Sequence, residues 1–237
     1  MKRLIMDTST KILGVAVLDG ENILGEKTIH DVKNHSKYLM PTILSVMEEA
    51  HVKPDELQGI VVAKGPGSYT GVRIGVTVAK TLAWTLNIPL YAISSLKGMV
   101  LSDTKSFDGW VIPIIDARRD TVFTGAYRKL QDGTYACKQD QHIAFDQWVN
   151  TLKQFHAPIR FIGSDVQLYK EQILEAFGIQ AYGFDEEKPF ELCVSRYILD
   201  CHADTLVSSI HDFAPAYLRL AEAEQKWIQK AKGGQGL

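Results

Sequence analysis

Short apolar runs separated by turn residues fill the first thirty positions. Arg3-Leu4-Ile5-Met6-Asp7, residues 13–18 (LGVAVL) and residues 22–29 (NILGEKTI) have the length and composition of three successive strands, and Asp19-Gly20 supplies a tight turn. Over 36–51 the apolar spacing lengthens to that of a helix, with Asn34 or Ser36 as its cap. Gly59-Ile60-Val61-Val62-Ala63 then reads as a short buried strand. A glycine-rich loop leads into a helix over 71–86, and Pro89-Leu90-Tyr91-Ala92-Ile93 reads as another strand.

From Trp110 the same order returns. Strands are expected near 110–116, 121–128 and 134–140, with Asp132-Gly133 in a turn. A helix near 145–155, a strand around Phe161 and a helix near 166–177 follow. A short strand near 179–183 and a helix over 190–203 complete the unit. The pattern predicts an α/β protein of two tandem βββαβαβα subdomains, 1–103 and 104–237, joined in the polar stretch 102–109. The second carries a helical C-terminal tail that ends in a flexible Gly-Gly-Gln-Gly. Both units open on a strand ending in aspartate, Asp7 and Asp116, just before a hairpin. A duplicated unit of this order resembles the actin, sugar kinase and Hsp70 superfamily, the actin-like ATPase fold. Two unrelated α/β units are the other reading.

Composition narrows the partners. With 26 basic and 28 acidic side chains the net charge is −2, so no global field draws the chain onto nucleic acid. The N-terminal apolar run is too short for a signal peptide, and no stretch reaches the roughly 20 apolar residues of a membrane span. Cys137, Cys193 and Cys201 are odd in number and form no CxxC pair. A cytoplasmic protein without membrane contact is expected.

The segment 65–99 holds the candidate chemistry. Lys64-Gly65-Pro66-Gly67-Ser68-Tyr69-Thr70-Gly71 joins a strand to a helix, so its amides and the helix dipole suit an anion, with Arg73 nearby. It lacks the Walker pattern, and a tight connection capped by Thr70 is the plainer reading. Gly71, Gly75, Ala79 and Ala83 form a ridge of small residues every four positions, the spacing along which a second helix can approach closely. The helix before it is apolar on two sides: Leu39, Ile43, Val46 and Ala50 make one stripe, and Met40, Leu44 and Met47 another. A partner interface is therefore expected at Leu39, Ile43, Met47, Gly71, Gly75, Val76, Ala79 and Ala83.

An ATP site fits poorly. The first hairpin, Asp7-Thr8-Ser9-Thr10, suits phosphate, but the second reads Asp116-Ala117-Arg118-Arg119-Asp120, with arginine where a small residue is expected. A double-glycine adenosine loop is missing; the nearest stretch is Phe161-Ile162-Gly163-Ser164-Asp165. No two histidines stand four apart, and Ser68 is not in a GxSxG elbow. No catalytic, cofactor-binding or metal-binding residue is expected.

The Asp7-Thr8-Ser9-Thr10 hairpin, the GPGSYTGVRIG block at 65–75 and the ending PAYLRLAEAE at 215–224 together resemble the bacterial TsaB (YeaZ) family over essentially the whole chain. The resemblance implies an accessory, non-catalytic subunit of a complex that forms N6-threonylcarbamoyladenosine beside the anticodon of tRNA. Its implied partners are a TsaD-like catalytic paralogue, paired through N-terminal helices, and a TsaE-like ATPase. Transfer RNA would be met indirectly through the complex, and a homodimer of the chain alone stays open. TsaD-like proteins carry Asn-His-x-Glu-Gly-His after the corresponding strand, with metal-binding histidines. Here Ser95 and Met99 stand at those two positions, Lys97 replaces the acid, and Gly98 is kept as a relic of ancestry. The competing function is a stand-alone actin-fold kinase for a sugar or small acid.

Overall fold

The structure, a computed structural model, describes residues 1–131, 133–183 and 190–219. Strands β1 (Lys2–Asp7), β2 (Leu13–Asp19) and β3 (Asn22–Ile29) run as an antiparallel meander into helix α1 (His35–Glu49). Strand β4 (Ile60–Ala63), helix α2 (Tyr69–Leu86), strand β5 (Leu90–Ile93) and helix α3 (Ser95–Ser102) follow. Together the five strands form a sheet of order β3-β2-β1-β4-β5, with β1, β4 and β5 parallel.

A second sheet repeats this plan. Strands β6 (Trp110–Asp116), β7 (Thr121–Lys129) and β8 (Tyr135–Ala144) make the meander, helix α4 (Phe145–Leu152) follows, and β9 (Ile159–Ile162) pairs parallel to β6. A 3-10 turn at Ser164–Tyr169 leads into helix α5 (Lys170–Phe177). The strand order is β8-β7-β6-β9.

Alternation along the central strands builds the layers. In β1, Leu4 and Met6 point into a core shared with α1 and α2, while Ile5 points the other way. That second core lies between the sheets, where Leu96 and Met99 of α3 meet Val111 and Ile115 of β6. Ile112 and Ile114, the alternate positions of β6, face a third core with α4. Phe145, Trp148, Val149 and Leu152 recur at helical spacing and bury one side of α4 there.

Two elements expected late in the chain form differently. Residues 179–183 contain a 3-10 turn, Ile179–Ala181, and a single bridge from Tyr182 to Phe161 in place of a strand. Residues 190–203 hold a 3-10 helix, Val194–Asp200, in place of an α-helix. Three of its four buried residues, Val194, Tyr197 and Asp200, fall three apart, which is the 3-10 repeat, and the fourth is Ser195. This helix packs on the first sheet: Val194 lies over Gly14, and Glu26 accepts from both the amide and the hydroxyl of Ser195.

Beyond it the chain runs back along α2. Val207 pairs with Leu90, and Lys80 Nζ donates to the carbonyls of His211 and Phe213. Ala216 N then donates to Lys64 O. The expected Asp132-Gly133 turn includes Asp132, and the PAYLRLAEAE ending includes residues 220–224; these, with the helical tail, lie outside the described residues.

Candidate functional site

The two hairpins, the loop after β4 and the returning C-terminal strand of chain enclose a cleft of about 780 Å³. Asp7 sits at the base of the first hairpin and is buried. Its Oδ1 accepts from Ser9 N at 2.7 Å, and its Oδ2 accepts from the phenol of Tyr197. Burial pushes the Asp7 pKa up, and the hydrogen bonds from Tyr197 and Ser9 pull against it. A tyrosine also closes the second aspartate: Tyr169 Oη donates to Asp116 Oδ1 at 2.8 Å. Asp116 N in turn donates to Asp165 Oδ2 at 2.9 Å.

The loop after β4 is built for close approach. A Cβ at Gly67 would lie 2.2 Å from Ser9 O, and Ser68 N donates to that same oxygen at 2.7 Å. Helix α2 is capped by Ser68, whose Oγ accepts from Gly71 N at 3.2 Å. Thr70, the expected cap, lies inside the helix because the first turn starts one residue after Ser68.

The small-residue ridge of α2 faces inward. Gly71, Gly75, Ala79 and Ala83 are all buried, and a Cβ at Gly71 or Gly75 would strike Thr8. Thr8 Oγ1 donates to Gly71 O at 2.7 Å, so the ridge makes room for the first hairpin and the chain's own sheet. Leu39, Ile43, Met47 and Val76 are buried in the same core. All eight positions expected at a partner interface are thus buried within the chain's own core. The outer surface of the pair carries Tyr38, Met40 and Leu44 from α1, the last two 40% and 56% exposed.

The positions that resemble a metal site serve other ends. Ser95 is fully buried; its Oγ accepts from Gly65 N at 3.1 Å and its own amide donates to Gly65 O at 3.0 Å. Met99 is buried between the sheets, its Cε close to Gly163. Lys97 pairs with Asp200 at 2.5 Å. These side chains do not fit a divalent ion. Gly98 has a present-day reason: a Cβ there would lie 2.2 Å from Tyr197 Cζ, so glycine admits the ring that reaches Asp7.

The second hairpin is unusual. Arg118, Arg119 and Asp120 all adopt positive φ, 64°, 54° and 54°, a conformation disfavoured by about 1–2 kcal/mol each for side chains of this kind. Arg219 Nη1 holds the turn by donating to Ala117 O at 2.7 Å. Sequence reasoning reached both aspartates and both arginines but missed Tyr169, Tyr197 and His35.

A family profile described as TsaD, tRNA N6-adenosine threonylcarbamoyltransferase, matches residues 22–227. The chain is 39% identical over 236 residues to the tRNA threonylcarbamoyladenosine biosynthesis protein TsaB of Bacillus subtilis (strain 168), covering 98% of this chain and 100% of that one. The protein of the same description from Escherichia coli (strain K12) is 26% identical over 155 residues, 65% of this chain and 67% of the relative. Among solved structures, YeaZ from Pseudomonas aeruginosa superposes with a TM-score of 0.70 at 24% identity, covering 92% of this chain and 99% of that one. The paired sheets and these matches define an actin-like ATPase fold.

Proposed function

The chain belongs to the TsaB/YeaZ branch of the TsaD family, and from that premise we propose that it acts as a non-catalytic docking subunit in forming threonylcarbamoyladenosine in tRNA. The observation that carries this reading is the use of Ser95 and Met99. One ties down the loop at Gly65 and the other fills the core between the sheets, which leaves neither to serve a reaction. In this reading a TsaD-like relative performs the transfer, a TsaE-like ATPase assists, and tRNA is met through the complex. The subdomain 1–103 does the docking and 104–237 completes the fold. No helix among the described residues is long and apolar enough to cross a membrane, which accords with work in the cytoplasm.

The docking surface in this proposal is centred on Met40 and Leu44, exposed one turn apart on α1, together with the half-buried Val78 and Leu82 of the neighbouring α2. Nucleoside mass spectrometry on tRNA from depleted cells tests the function: the modified adenosine is expected to disappear, and an unchanged level would refute it. Co-purification of the Leu44→Asp variant with the TsaD-like relative tests the surface. Loss of the pair from a folded variant is expected, and retained pairing would move the interface elsewhere.

A further inference from the structure

The chain over 206–219 forms a strap along one side of α2. Leu206 pairs with Tyr91 on the edge strand β5, and Val207 N donates to Leu90 O at 2.8 Å. Tyr69, Arg73, Lys80 and Trp84 recur at spacings of four and seven, so they line up along that side of the helix. Lys80 Nζ holds the carbonyls of His211 and Phe213 at 2.9 and 2.6 Å, and the Trp84 ring meets the His211 ring edge-on at 4.1 Å. Nearer the start of α2, the rings of Tyr217 and Tyr69 lie 5.1 Å apart and Ala216 N donates to Lys64 O at 2.7 Å. Val207, Ile210 and Phe213 pack beneath, against the first core.

The strap ends on the other unit. Arg219 Nη1 donates to Ala117 O at 2.7 Å, at the start of the second hairpin's turn. Asp31, His51 and Asn87 adopt positive φ singly, as such residues usually do, whereas Arg118, Arg119 and Asp120 are three in a row. Backbone in that state persists only where its surroundings hold it from several sides. From within the turn, Ala117 N donates to Thr121 O at 2.9 Å and Thr121 N to Arg118 O at 3.1 Å. From the second unit, Phe145 N donates to Asp120 O at 2.9 Å, and His142 Nε2 lies 2.8 Å from Thr121 Oγ1. From the strap comes Arg219, whose charge joins burial in pushing the His142 pKa down.

We infer that the strap is a brace with a catch: Lys80 and the aromatic pairs seat it on α2, and Arg219 then holds the second hairpin in its strained turn. Unseating the strap lets that turn relax. The shape of the second hairpin thus depends on contacts made to α2 of the first unit, far along the chain from it. The inference stands apart from the docking proposal. Val78 and Leu82 fall two positions before Lys80 and Trp84, about 200° round the helix, so the strap and the docking surface occupy opposite sides of α2.

The test is amide hydrogen exchange and backbone scalar couplings of the full chain, read by NMR. Arg219→Ala should speed exchange of the Ala117 and Thr121 amides about tenfold or more and move φ at Arg118 and Arg119 toward negative values, with the β1 and β4 amides unchanged. Lys80→Met leaves the hairpin itself untouched but removes the strap's two carbonyl contacts, and it is expected to speed the same two amides. Unchanged exchange at Ala117 and Thr121 in Arg219→Ala would overturn the inference. A Lys80→Met variant whose hairpin exchanges as in the parent would overturn it too, because Arg219 would then act locally and the strap would brace nothing. Faster exchange throughout the first sheet in either variant would also overturn it, since the effect would be a general loss of stability.

Discussion

Tyr197 donates its phenolic proton to Asp7 across 190 residues of chain, and the contact fastens the 3-10 helix to the base of the first hairpin. Removing the hydroxyl leaves Asp7 Oδ2 buried without that donor. Tyr197→Phe is expected to cost about 1–3 kcal/mol, read as a lower urea midpoint at unchanged slope. The cost should be largest where Asp7 is ionised and should shrink as acid protonates it, because the phenol favours the charged form. Adding Asp7→Asn to Tyr197→Phe removes the stranded charge, so the double variant should be more stable than the sum of the singles implies. Strict additivity would show that the contact contributes nothing.

Ala79 and Leu44 separate core from surface. Ala79 is 0% exposed, so Ala79→Asp places a carboxylate in an apolar core and should cost at least about 3 kcal/mol. Leu44 is more than half exposed, and Leu44→Asp should stay within about 0.5 kcal/mol of the parent. Thermal melts followed by circular dichroism check both. A folded Ala79→Asp variant with the parent's melting temperature would return the small-residue ridge to the surface.

Much of the architecture is legible in the residues because strand alternation and helical spacing are local signals. The meander β1–β3, helix α1 and the entire first sheet follow from them. The four-residue ridge on α2 was also legible, but its neighbour was not. A row of small side chains admits any close backbone, and here the first hairpin takes the place of a second helix. The 3-10 helix escaped detection because buried positions three apart also fit an α-helical face. Tyr197 and Tyr169 lie 190 and 53 residues from the aspartates they close, and no local pattern encodes such pairs. Orphaned atoms such as Ser9 Oγ are visible only once burial is known.

Arg160 on β9 meets Asp103 just past α3, joining the second sheet to the first unit's last helix. Both side chains are largely buried, and Arg160 Nη2 also donates to Lys105 O at 3.1 Å. Arg160→Met strands the Asp103 carboxylate and should cost about 3–5 kcal/mol. Asp103→Leu in the same chain removes the stranded charge and should recover most of that loss. Urea unfolding of the two variants decides between an ion pair that matters and one that is idle.

His35 gives stability a pH dependence. Burial pushes its pKa below the ordinary value of 6.5, against the upward pull of the Asp7 charge and of hydrogen bonds to the backbone at Thr10 and Ile12. As pH falls through 6.5 the unfolded chain takes up a proton that the folded ring refuses, so stability is lost on acidification until the folded pKa is reached. One such group changes stability by at most about 1.4 kcal/mol per pH unit. His142, also pushed down by burial and by Arg219, adds in the same sense. Asp7, pushed up by burial, works in the opposite sense at lower pH. The quantity to measure is therefore the difference between the parent and His35→Gln, from urea midpoints taken between about pH 8 and about pH 5. The parent should lose stability faster than the variant below pH 6.5, and parallel curves would show that His35 titrates alike in the folded and unfolded chain.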